Sequence, residues 1–188
     1  SERAAEATPE MTRYDVEAGE PVPGYVVADA CPKLGLDVGL VKLKAPVEGV
    51  SPARVEARAP EPREDCVAVG FGRHPLDGGG ATRAEKRSAV VTFREIMPGA
   101  FAFDDKTGGT EKGDSGGPLF CGGGLVAVNS CGNDPDRFAR VDMALPWIEA
   151  KLADWSAAWK GGPVGALPAR DAGAADASAD ADVDAGSP

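Results

Sequence analysis

Short runs of alternating apolar and small residues, cut apart by glycine and proline, set the fold class of this chain. They fall at Tyr25–Ala28, Leu40–Leu43, Val55–Ala57, Cys66–Val69, Ser88–Thr92, Ala100–Phe103, Pro118–Phe120 and Leu125–Val128. Successive strand side chains point to opposite faces, so a run of this kind buries one face and leaves the other to solvent. Many such runs at close spacing indicate an all-β barrel or sandwich. The breaks are supplied by 25 Gly and 16 Pro among 188 residues. Only one long helical pattern is present. Leu145, Ile148, Leu152, Trp155 and Trp159 recur at three- and four-residue spacing, and Gly161-Gly162-Pro163 stops them. From Ala166 onward the chain is Ala, Asp and Gly with almost no aliphatic residues. Such a segment buries too little surface to offset its ordering entropy and is expected to be disordered.

Charge narrows the function classes. The formal net charge is −10, which argues against a nucleic-acid partner. The tail contributes through Asp171, Asp176, Asp180, Asp182 and Asp184 against Arg170. No apolar run approaches the roughly 18 residues that cross a bilayer. Neither a Cys-x-x-Cys pair nor a histidine cluster is present, so no metal or other cofactor is expected.

The chemistry concentrates in residues 113–118, Gly-Asp-Ser-Gly-Gly-Pro. A serine among small residues stands clear of side-chain crowding. Gly113 lets the backbone turn so that its N–H and that of Ser115 address one point. An attacking hydroxyl beside two converging N–H groups is what acyl transfer needs. A second candidate is Asp37, set in the apolar alternation of Val38, Leu40, Val41 and Leu43. A carboxylate buried there needs a partner, and an imidazole N–H would serve.

These two segments resemble the nucleophile loop and the aspartate strand of the trypsin/chymotrypsin-like serine endopeptidases. Further segments resemble the family in chain order. Cys66–Gly72 is similar to the strand opening the second barrel, and Gly124–Val128 to the strand that binds substrate backbone. Phe138–Val141, followed by Pro146–Ile148, is similar to the closing strand and the start of the terminal helix. The resemblance implies a double six-stranded β-barrel of the chymotrypsin type, its first barrel incomplete. Residues 1–60 are then the remainder of the first barrel and a connector. Residues 61–143 form the second barrel, 144–160 the helix and 161–188 the acidic tail.

The implied activity is peptide-bond hydrolysis through an acyl-enzyme on Ser115. Asp37 orients a histidine, and Gly113 and Ser115 supply the oxyanion N–H groups. Protein or peptide substrates are the implied partners; nothing in the sequence sets an oligomeric state. The resemblance also implies a Cys66–Cys121 disulfide, worth about 4 kcal/mol on the chain-entropy estimate. Cys31 and Cys131 either bridge two loops at the cleft rim or are free or otherwise paired. Four cysteines suit an oxidising, secreted setting.

Departures from the family pattern qualify this reading. The one histidine, His74, follows Asp37 instead of preceding it. The family's histidine segment would fall before Ser1, so the base is expected upstream of this chain, where a signal peptide would also lie. Without an imidazole, Ser115 keeps its proton and is a weak nucleophile, so the chain alone is expected to be inactive. The new N-terminal ammonium that pairs in the family with the carboxylate at Asp114 is missing too. Gly109 stands at the base of the specificity pocket, and Asp136 is expected on its opposite wall, where it could receive Lys or Arg. Ala127, Val128 and Asn129 are expected along the substrate, with Ala127 replacing a serine that hydrogen-bonds the aspartate and Val128 replacing a cleft tryptophan. These departures keep a second reading open, a non-catalytic protease-like module that binds proteins or peptides.

Overall fold

A computed structural model describes residues 12–26, 36–73, 86–132 and 135–158. Its elements are β1 (Val16–Pro21), β2 (Gly39–Leu43), β3 (Asp65–Gly70), β4 (Arg87–Met97), β5 (Ala100–Asp105), β6 (Pro118–Cys121), β7 (Gly124–Cys131), β8 (Asp136–Arg140) and α1 (Val141–Ala158). Strands β3-β4-β5-β8-β7-β6 close into an antiparallel barrel, and β1 and β2 form a separate two-stranded sheet. Among the described residues the chain is therefore all-β with one helix, as the alternation predicts. His74, Cys31, Trp159 and the tail from residue 161 lie outside the described residues.

The barrel follows from period-two burial. Cys66, Val91, Phe101, Phe103, Leu119, Val126 and Phe138 are fully buried inside it. The aromatic rings meet edge to face, Phe93 on Phe101 at 5.9 Å and Phe103 on Phe138 at 5.3 Å between centroids. That is the arrangement their quadrupoles favour. Gly122 and Gly123 turn β6 into β7 with φ of 57° and 82°. Positive φ at both central residues matches the twist of a two-residue hairpin. The barrel closes where β3 meets β6, with Val67 opposite Phe120 and Ala68 opposite Leu119. The Cys66–Cys121 disulfide spans this seam, its Cα atoms 4.5 Å apart. Cys131 is also disulfide-bonded; Cys31, its expected partner, is outside the described residues.

The helix starts at Val141, three residues before the expected 144, because β8 runs straight into it. It holds the small sheet on the barrel. Val141, Ala144 and Ile148 pack with Val38 and Ala139 in a second buried cluster that Leu40, Val55 and Val128 extend. Lys151 Nζ also reaches Glu20 Oε2 of β1 at 2.7 Å. No helix among the described residues is long and apolar enough to cross a membrane.

Candidate active site

The loop from β5 to β6 carries Ser115, and its shape is fixed by backbone groups and one carboxylate. Asp114 N–H donates to the Glu111 carbonyl at 3.0 Å, and Gly117 N–H to the Asp114 carbonyl at 2.9 Å. Gly116 N–H donates to the Asn129 carbonyl at 2.7 Å, and Asn129 N–H returns to Gly117 at 2.8 Å. The loop is thus zipped to β7. The Asp114 side chain accepts Gly72 N–H at 2.6 Å and Glu111 N–H at 2.9 Å, which ties the loop to the end of β3. Glycine is required at 117, because a Cβ there would lie 2.5 Å from the Val69 carbonyl and 2.8 Å from that of Asp114.

Ser115 is exposed. Gly113, at φ 105°, precedes it by two residues. Neither the Gly113 nor the Ser115 N–H finds an acceptor among the described residues. Two unspent donors flanking an exposed hydroxyl could donate to an oxygen that develops negative charge.

Asp37 is half-buried two residues before β2. Its Oδ2 accepts the Ser130 hydroxyl at 2.7 Å. This bond joins the small sheet to β7, the strand to which the serine loop is zipped. It also corrects the expected register along β7. Ala127 does not stand in for the serine; Ser130, three positions further on, makes that contact. Ala127 is fully buried in the barrel core and cannot touch a ligand, whereas Val128 packs in the cluster around the helix. Asn129 is buried, and its Oδ1 has no hydrogen-bond partner among the described residues. Ser130 falls outside the Gly124–Val128 segment that resembles the substrate strand. The available signal was that Ser130 is the one hydroxyl between Gly124 and Cys131.

Asp136 is only 4% exposed. Its Oδ2 accepts Thr110 N–H at 2.7 Å. Burial pushes its carboxyl above the ordinary range, Thr110 pulls the other way, and the Asp105 and Asp114 charges add to the rise. Gly109 faces the Asp105 carboxylate, which a Cβ at Gly109 would overlap. A cavity of about 430 Å³ lies between the ends of β3 and β4 and the segment 107–111, with Asp114, Asn129 and Phe138 also lining it. Ser115, Ser130, Gly132 and Asp136 are not among its walls.

Glu64 lies beside Cys66 and Cys121. Both sulfurs are consumed by the disulfide, so this trio offers no thiolate to a metal.

The family model described as Trypsin matches residues 10–148. Chymase of Canis lupus familiaris is 31% identical over 135 residues, 62% of this chain and 54% of chymase. Cathepsin G of Homo sapiens is 31% identical over 101 residues, 46% of this chain and 40% of cathepsin G. The chain thus spans about half the length of these relatives. A solved structure of a mutant of human heparin binding protein superposes with a TM-score of 0.61 at 26% identity, covering 81% of this chain and 69% of that one.

Proposed function

This chain belongs to the trypsin family of serine proteases, and on that footing we propose that it works as a serine endopeptidase with Ser115 as nucleophile. The observation that carries the proposal is the Ser130–Asp37 hydrogen bond at 2.7 Å. It fixes a carboxylate on the small sheet relative to the strand that holds the serine loop. A binding module needs no such tie.

The chemistry follows the handling of one proton. An imidazole oriented by Asp37 accepts the Ser115 proton as Oγ attacks the substrate carbonyl carbon. The Gly113 and Ser115 N–H groups hold the oxyanion. The imidazole then protonates the departing amine, and water hydrolyses the ester. His74 lies outside the described residues, and the imidazole is expected from sequence preceding Asp37 in the full-length protein. With Ser130 facing Asp37, substrate backbone runs along Ser130–Gly132, past the end of the segment first expected to bind it. We read this activity as belonging to an oxidising, extracellular setting with proteins or peptides as substrates, a reading that the Cys66–Cys121 disulfide and the family support.

The test is labelling by a small fluorophosphonate. Full-length protein should label at Ser115, and Ser115→Ala should abolish it. Labelling that persists in the variant refutes the assignment. A folded wild-type protein that never labels favours the non-catalytic module.

A further inference from the structure

On the proposed reading, with substrate backbone along Ser130–Gly132 and Ser115 attacking, the side chain preceding the cleaved bond enters between that strand end and the segment 109–111. That space is shut. A Cβ built on Gly132 would lie 2.6 Å from the Thr110 carbonyl oxygen and 2.9 Å from Thr110 Oγ1. The two walls are therefore already in contact. A ring or a long aliphatic stem between two walls needs about 3.5–4.0 Å on each face, so the walls would have to stand roughly 7 Å apart.

Thr110 is held in this position from behind. Its N–H donates to the buried Asp136 carboxylate at 2.7 Å. Gly132 on the facing wall carries no side chain, which is what permits the contact. The cavity of about 430 Å³ offers no substitute, since neither Ser115 nor Gly132 lines it. Asp136 itself is committed to Thr110 and sealed from solvent, so a Lys or Arg side chain cannot reach it.

We infer that this chain cleaves after small residues, glycine, alanine or serine, and that Asp136 sets this preference by anchoring Thr110 across the mouth of the slot. Asp136 is thus a positioning residue that excludes side chains. The inference rests on the proposed nucleophilic role of Ser115, and its test separates the two.

Full-length protein is first labelled with diisopropyl fluorophosphate, whose small alkoxy groups need no slot. Peptide substrates differing only in the residue before the scissile bond are then compared. Ala is expected to exceed Phe and Lys by about tenfold or more in kcat/KM, the scale on which pocket fit discriminates. Asp136→Ala frees Thr110 and should raise the Phe rate at least tenfold relative to Ala. Asp136→Asn, which keeps an oxygen for the Thr110 N–H, should retain the small-residue preference. A second readout does not use catalysis. Benzamidine and indole should show no saturable binding to the wild type by calorimetry, and Asp136→Ala should gain it.

Faster cleavage after Phe or Lys in the wild type overturns the inference. So does benzamidine or indole binding to the wild type, or an Ala-to-Phe ratio unmoved by Asp136→Ala. If diisopropyl fluorophosphate never labels, the nucleophile assignment fails, and ligand binding still decides whether the slot is shut.

Discussion

Replacing Ser130 by alanine removes one hydroxyl and leaves Asp37 without the donor it accepts at 2.7 Å. A hydrogen bond to a charged acceptor contributes about 1.5–3 kcal/mol net. Asp37 and Ser130 are both half-buried, so water can partly replace the lost donor and the low end of that range applies. The small sheet stays attached through the Val38 cluster and the Lys151–Glu20 pair. Ser130→Ala should therefore cost about 1.5 kcal/mol and lower Tm by roughly 3–6 °C for a chain of this size. Urea denaturation of wild type, Ser130→Ala, Asp37→Ala and the double variant gives a thermodynamic cycle. If the bond supplies the stability, Ser130→Ala costs almost nothing once Asp37 is alanine. The coupling should be about 1 kcal/mol or more. An equal cost of Ser130→Ala in both backgrounds refutes the reasoning, because it would trace the loss to packing of the serine alone.

Two other perturbations follow from the barrel. Changing Cys66 and Cys121 to serine removes a cross-link with a sequence separation of 55 and should cost about 4 kcal/mol by the loop-entropy estimate; a denaturation midpoint unchanged by reductant would contradict it. Asp136→Asn tests the sign of a buried acid. The folded-state value of Asp136 is raised, so its contribution is complete below the unfolded value of about 3.9 and is lost as pH rises through the folded one. The asparagine variant should gain on the wild type as pH climbs above about 4 and hold that gain once the folded value is passed. Urea midpoints from pH 4 to 8 would show a gap that widens and then levels; a gap that closes with rising pH is the contrary result.

The strands of the barrel were legible wherever apolar residues alternate over glycine breaks. Cys66–Val69 anticipates β3, and Ala100–Phe103 anticipates β5. β1 was not legible, because Val16–Pro21 alternates polar with small residues and mostly faces solvent. Val55–Ala57 reads as a strand and forms only a single bridge, from Val55 to Leu125. The serine loop was legible because its glycines answer to local geometry that a hexapeptide carries whole. Ser130 and the shut slot were not. Ser130 meets Asp37 across 93 positions, and Thr110, Gly132 and Asp136 meet only because β8 lies beside β7 and β5. Composition and period say nothing about which distant walls touch.

The seam between β3 and β6 also orders events in time. Hairpins β4–β5 and β6–β7 join neighbours in sequence and can form early. Of the hydrogen-bonded strand pairs in the barrel, the seam joins the two farthest apart in the chain, so its loop-closure entropy must be met before its contacts return anything. Cys66 and Cys121 come within bonding reach only as the circle completes. Oxidation of this pair would therefore mark finished barrels, and the rate at which the Cys66 and Cys121 thiols are lost during refolding would report when the last strands zip together.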